Sequence, residues 1–125
     1  MDTAAERLIA EAAAWNSHDP ERLAEGYADT FEMRDGLTVL TSKEALKQFV
    51  REKFDKQLDH TVKLDLWGAL KTRMAVRFET EWHDAGGQWF RSYGVVVYQF
   101  NDTGLVERRF ASEETTAIAA GDRGL

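Results

Sequence analysis

Four side chains in this 125-residue sequence have the types and spacing for proton transfer: Glu11, Asp35, Arg109 and Glu113. Glu11 lies three residues after Leu8 and four before Trp15, so on a helix it shares their apolar face. Asp35 follows Phe31 and Met33 at alternate positions, which puts its carboxylate at the end of an apolar strand face. Arg109, Ala111 and Glu113 share one face of the last strand by the same rule. A carboxylate among apolar groups has a raised pKa and suits proton transfer near neutral pH, and an arginine beside it can hold an oxyanion or orient a carboxylate. Each group also has a plainer role. Asp35-Gly36 is a common turn pair, and turn residue and catalyst stand level as readings. A buried ion pair between Glu11 and Arg109 is the favoured structural reading, because a pocket arginine needs a counter-charge.

Other chemistries find little to stand on. There is no cysteine, which removes disulfides, thiol nucleophiles and thiolate metal sites together. His18 and His83 each precede an aspartate in a loop, and no histidine pair has the spacing of a zinc or iron site. No glycine-rich phosphate loop and no nucleophile elbow is present, so no metal and no cofactor is expected. Sixteen basic residues against twenty-two acidic ones leave a net charge of −6, which repels phosphate backbones and anionic lipid surfaces. Neither nucleic acid nor membrane is expected as a partner. Met1-Asp2-Thr3 lacks a basic n-region, and Glu6, Arg7 and Glu11 interrupt the first helix, so the expected location is cytoplasmic.

The elements that must position these groups are legible from capping and periodicity. Thr3 with Glu6 has capping-box spacing, and Leu8, Ala12 and Trp15 recur at helical intervals, predicting a helix over about 4–17. Asp19 followed by Pro20 starts a second helix over about 20–27. A short strand at about 30–35 turns at Asp35-Gly36. A third helix is announced by Thr41-Ser42-Lys43-Glu44 and carries Leu46, Phe49, Val50 and Phe54 on one side. From His60 onward the chain reads as an antiparallel meander, with turns at Lys71-Thr72, Asp84–Gly87 and Asn101–Gly104. At 43% hydrophobic and 30% charged residues, without repeat or linker, residues 1–125 form one globular domain. The expected ordered core is about 3–116, with a loose tail at 117–125.

One strand is apolar on both sides. Phe90, Val96 and Tyr98 alternate with Trp89, Tyr93, Val95 and Val97, and helices can cover only the concave face. The convex face is therefore a candidate homodimer interface. Arg77 and Arg91 lie on faces with Glu79 and Glu81, so cross-strand pairing on the outer surface accounts for them.

The segments WNSHDPERLAEGYAD, AVRFETEWHDAGGQWFRSYG and GLVERRFAS, in this order of helices and strands, resemble an uncharacterised bacterial subgroup of the nuclear transport factor 2-like superfamily, which includes SnoaL-like and polyketide-cyclase-like proteins. The resemblance implies an α+β fold: a cone-shaped barrel of curved antiparallel sheet wrapped around three N-terminal helices, with a ligand pocket at the open end. It implies homodimers, and enzymes among steroid isomerases, cyclases, dehydratases and epoxide hydrolases. Aligned on Ala28-Asp29, Asp35 falls where the steroid isomerases keep their general-base aspartate. Glu11 falls where they keep an oxyanion-binding tyrosine, and Val96 where they keep a protonated carboxylic acid, so steroid isomerisation itself is not expected. Where the subgroup carries Gly-Asn-Glu-Asn-Trp, this chain has Gly94-Val95-Val96-Val97-Tyr98, an apolar wall suited to a more hydrophobic ligand. The expected function is cofactor-independent acid/base chemistry on a small, largely apolar organic molecule. Asp35 would transfer the proton, Arg109 would hold an oxyanion or orient a carboxylate, and Glu11 or Glu113 would be the partner acid. Trp15, Tyr27, Phe49, Phe54, Phe78, Trp82, Phe90, Val96 and Tyr98 would shape the cavity. The alternative is a small-molecule-binding or dimeric assembly module without turnover.

Overall fold

A computed structural model describes residues 3–125. The N-terminal helix α1 (Ala4–Asn16) is capped by Thr3, whose hydroxyl accepts from the Glu6 N–H at 3.1 Å, as the capping spacing predicts. The second helix, α2 (Pro20–Glu25), is capped by the Asp19 carboxylate and begins on Pro20. It ends earlier than its periodicity suggests, because Tyr27 already belongs to β1 (Tyr27–Asp35). Gly36, with φ +58°, turns the chain from β1 into the short β2 (Thr38–Leu40). The cap of α3 (Lys43–Lys56) is Ser42 rather than Thr41: its hydroxyl accepts from the Ala45 N–H at 3.1 Å, one residue beyond the capping box read from the sequence.

Four long strands then form the meander: β3 (Leu58–Ala69), β4 (Arg73–His83), β5 (Trp89–Phe100) and β6 (Val106–Ile118). They pair antiparallel in sequence order, and the six-stranded sheet runs β2-β1-β6-β5-β4-β3. The sheet is not purely antiparallel, since β1 lies parallel to β6, with Met33 opposite Arg109 and Asp35 opposite Ala111. Partners on parallel strands face the same side, so the first strand brings its carboxylate directly to the last strand's arginine.

The core lies on the inner face of the sheet. Phe31 and Met33 from β1, Val62 from β3, Met74, Val76 and Phe78 from β4 and Val96, Tyr98 and Phe100 from β5 pack with Trp15, Leu23, Leu46 and Val50 from the helices. The end of α1 is pinned to the edge strand β3. The Asn16 amide accepts from the Val62 N–H at 2.8 Å and donates to the Val62 carbonyl at 3.1 Å, while His18 Nε2 meets the His60 carbonyl at 2.6 Å. The polar residues of this helix corner thus satisfy backbone groups that an edge strand leaves open.

The C-terminal segment departs from the loose tail expected from residue 117. Strand β6 runs to Ile118 and a 3₁₀ turn follows at Ala120–Asp122. The N–H groups of Gly124 and Leu125 donate to the Glu81 carboxylate at 3.0 and 2.8 Å, and the Arg91 guanidinium bonds both Glu81 and the Asp122 carbonyl. Glu81 is therefore buried on the outer face beneath this segment. Burial opposes its charge, but the Arg91 bond and the two backbone N–H groups outweigh it and lower its pKa. Glu81–Arg91 is the expected cross-strand pair, whereas Arg77 pairs along its own strand with Glu79 at 3.2 Å. No helix among the described residues is long and apolar enough to cross a membrane.

Candidate functional site

A cleft opens between the helices and the inner face of the sheet, where Trp15, Val62, Leu64, Phe78, Val96 and Tyr98 supply apolar walls. Its polar groups are Asp35, Lys53, His60, Thr80, Arg109 and Glu113. The room within it is about 30 Å³. The inner part is thus narrow, sized for a water or two or for one polar group of a ligand.

Arg109 is the centre of the cleft. It is 6% exposed, its Nε donates to the Tyr98 hydroxyl at 3.3 Å, and its Nη1 donates to Asp35 at 3.5 Å. Its guanidinium carbon also lies 5.1 Å from the centre of the Trp15 ring. Asp35 is held opposite Ala111 by the β1–β6 register, between the positions of Arg109 and Glu113 on β6. Its side chain keeps about a fifth of its surface open, at 21% exposure, so it can meet both the arginine and a ligand. The turn at Gly36 and the place in the cleft are compatible, and Asp35 serves both.

Glu11 does not take the place expected of it. No carboxylate–guanidinium contact joins it to Arg109 within 4 Å among the described residues, because Asp35 fills that role. Glu11 is not among the residues lining the cleft; it borders a separate pocket with Arg7, Ala14 and Leu23, and its Oε2 is buried and unpartnered. Burial raises its pKa against the attraction of the Arg109 charge. Glu113 does line the cleft while keeping an exposed face, and its pKa is also raised, by partial desolvation and by the Asp35 charge, with Lys53 and Arg109 acting in the opposite sense. Of these two carboxyls, Glu113 borders the cleft and Glu11 does not.

The aromatic residues divide in the same way. Trp15, Phe78, Val96 and Tyr98 line the cleft. Phe54 and Phe49 support the helical wall from behind, Phe54 through edge contacts with Trp15 and His60. Tyr27 is wholly buried against Phe31, while Trp82 and Phe90 stack on each other across β4 and β5 at 4.5 Å. These three, with Phe49, Phe54 and Glu11, are not part of the cleft lining. Of the three consecutive valines only Val96 faces inward. Val95 and Val97 are 60% and 46% exposed on the outer face, as alternation requires, so the apolar run changes one cleft position.

A family model described as "Protein of unknown function (DUF1348)" matches residues 1–125. The chain belongs to this family. No curated protein matches. Among solved structures, this DUF1348 chain is similar to an NTF2-like protein of unknown function from Exiguobacterium sp. 255-15, at 20% identity and a TM-score of 0.76 over 86% of this chain and 98% of that one. It is similar also to the epoxide hydrolase/cyclase-like enzyme SalBIII of pyran ring formation in the polyether salinomycin, at 14% identity and a TM-score of 0.79 over 94% and 100%. A SnoaL-like protein of unknown function from Burkholderia thailandensis E264 matches at 22% identity and a TM-score of 0.70 over 90% and 97%. The DUF1348 chain therefore has the NTF2-like α+β fold, with its sheet left open rather than closed into a barrel.

Three polar residues of the cleft escaped the sequence reading: Lys53, His60 and Thr80. His60 had a signal, since Val62, Leu64 and Leu66 alternate and one further step back along the inner face is His60. Thr80 alternates with Met74, Val76 and Phe78 along β4, but as a threonine among apolar residues it carried no chemical mark. Lys53 precedes Phe54 on α3, and nothing in its spacing aims it at the sheet.

Proposed function

We propose that this protein is a cofactor-independent acid/base enzyme of small, largely apolar organic molecules, of cyclase, isomerase, dehydratase or epoxide-hydrolase type. The observation that carries this reading is the meeting of Asp35, the buried Arg109 and Glu113 at one cleft, with Arg109 3.5 Å from Asp35. Asp35 takes a proton from a carbon beside a carbonyl, and the electron pair moves onto the carbonyl oxygen. Arg109 stabilises the oxyanion in a site where apolar walls limit competing water. Glu113, the second carboxyl at the cleft, returns a proton at a second position and is reprotonated from solvent. The SalBIII likeness supports the fold as a frame for such chemistry; the named residues rest on the cleft itself.

The test is exchange of the α-protons of cyclopentanone into deuterated water, followed by NMR. Asp35→Asn keeps size and hydrogen bonding and should lower protein-catalysed exchange by about a hundred- to ten-thousandfold. Exchange that survives in Asp35→Asn removes Asp35 as the base. No exchange above buffer with the unaltered protein, together with ligand binding in the cleft, favours the binding module.

We also propose a homodimer through the outer face. Ala75, Val97 and Phe110 lie side by side across β4, β5 and β6, with Val95 and Tyr93 further along β5, and this row borders a groove of about 550 Å³. An apolar row of this kind gains by being covered.

A further inference from the structure

His60, with Lys53 and Thr80, is one of three polar groups in the cleft that the acid/base reading leaves without a task. It is 3% exposed, it lines the cleft, and neither ring nitrogen has a hydrogen-bond partner. Its position is built rather than incidental. Asp59 before it adopts φ +50°, the β3–β4 register shifts between Leu58 and Thr61, and the ring stands edge-on to Phe54 with centroids 5.3 Å apart. Its backbone carbonyl is fixed by His18 at 2.6 Å, so the strand cannot readily turn the ring away.

A neutral imidazole has one N–H donor and one acceptor nitrogen. Burial keeps the ring in that form by pulling its pKa down to about 3, with Lys53 and His18 acting in the same direction. A buried polar atom left unpaired weakens an equilibrium by roughly ten- to a hundredfold. Water can fill the room beside His60, but a ligand that displaces such water must replace its hydrogen bonds or lose affinity. A hydrocarbon end entering here is penalised, whereas a group that can accept or donate is not.

We propose that His60 is a specificity-determining residue of this cleft, reading an uncharged hydroxyl or carbonyl at the inner end of the ligand. Such a ligand has a polar, uncharged head at His60 and an apolar body along Trp15 and Phe78 toward the mouth. The proposal rests on the cleft being the ligand site, and it deepens that reading by naming the substrate class: small hydroxylated or carbonyl compounds with one apolar side.

The test uses phenol and toluene, which differ by a hydroxyl in place of a methyl group. Binding is measured by titration, and the His60 ring nitrogens are followed by NMR in ¹⁵N-histidine-labelled protein. Phenol should bind at least tenfold more tightly than toluene and shift a His60 ring nitrogen. His60→Phe should bring the ratio close to one, and His60→Gln, which keeps a donor and an acceptor, should retain part of the preference. Should His60→Phe fail to fold, the labelled unaltered protein and His60→Gln decide the matter. Equal affinities in the unaltered protein, binding of neither probe, or a preference that survives in His60→Phe overturns the proposal. Binding of the two probes is read without turnover. A protein with the phenol preference but no proton exchange therefore fails the acid/base reading alone, and one that exchanges without the preference fails the reader alone.

Discussion

Replacing Gly94 by alanine tests whether the cleft wall is as tightly set as the geometry implies. Gly94 lies directly opposite Phe78 on β4 and Glu113 on β6. A Cβ there would stand 2.3 Å from Phe78 Cζ and 2.5 Å from the Ser112 carbonyl oxygen. Attractive carbon contacts lie near 3.5–4.0 Å, so the deficit exceeds about 1 Å at the Phe78 ring and is about half an ångström or more at the carbonyl oxygen. The phenyl ring can yield only by moving further into the cleft it lines, and the carbonyl oxygen belongs to the β5–β6 ladder. Overpacking of this kind typically costs about 1–3 kcal/mol, and two simultaneous collisions, one with backbone, place Gly94→Ala at the upper end. For a domain of this size that corresponds to a melting temperature lower by roughly 6–15 °C in calorimetry. Gly68→Ala is the matched control, because its Cβ would meet nothing within 4 Å, and it should melt within about 2 °C of the unaltered protein. Phe78→Leu combined with Gly94→Ala should recover part of the loss by removing the ring from the collision. A melting temperature unchanged by Gly94→Ala would refute the close approach of β5 to the Phe78 ring.

The raised pKa of Glu11 means that its contribution to stability is full below the unfolded carboxyl value of 4.5 and is lost as pH rises through the folded value. Glu11→Gln should therefore melt several degrees above the unaltered protein at pH 8 and converge with it near pH 4; a gap that does not narrow on acidification would exclude titration of Glu11 as its cause. Glu81 has the opposite sign: its lowered pKa adds stability above 4.5 that is lost as pH falls through the folded value. Glu81→Gln should cost about 2–4 kcal/mol in urea unfolding at pH 7, since it leaves Arg91 without its counter-charge, and an unchanged midpoint would show that the C-terminal clamp adds no stability. Val97→Lys places a charge in the apolar outer row and should turn a dimer into a 14.2 kDa monomer in light scattering, with its melting temperature little changed. A 14.2 kDa particle already in the unaltered protein would end the dimer proposal.

The helices and the meander were legible because capping and periodicity are local. Thr3, Asp19 and the alternation from Val62 onward act through neighbours in sequence. Asp35 and Arg109 were found as candidates because each ends or shares an apolar strand face. Their pairing was not legible, because it depends on β1 lying parallel to β6, and no local signal marks which edge the first strand joins. The same gap explains the Glu11–Arg109 expectation: a buried arginine needs a counter-charge, but topology decides which carboxylate arrives. The aromatic lining was over-read for a related reason. Alternation assigns Trp82 and Phe90 to the inner face, yet says nothing of how far along the strand the cleft extends. The C-terminal clamp was missed because a backbone N–H carries no signature in the sequence.

The parallel join between β1 and β6 also orders events in time. Strands β3 to β6 can zip together through short hairpins, whereas β1 has no partner but the three-residue β2 until the last strand exists. Asp35 and Arg109 are 74 residues apart, so the loop closed by their meeting spans more than half the chain and is among the slow steps of folding. Until then Phe31 and Met33 present an apolar strand with an open edge, the kind of surface that associates wrongly between nascent chains. The cleft is consequently among the last parts of the molecule to form, and its assembly reports that the whole sheet has been completed in the correct order.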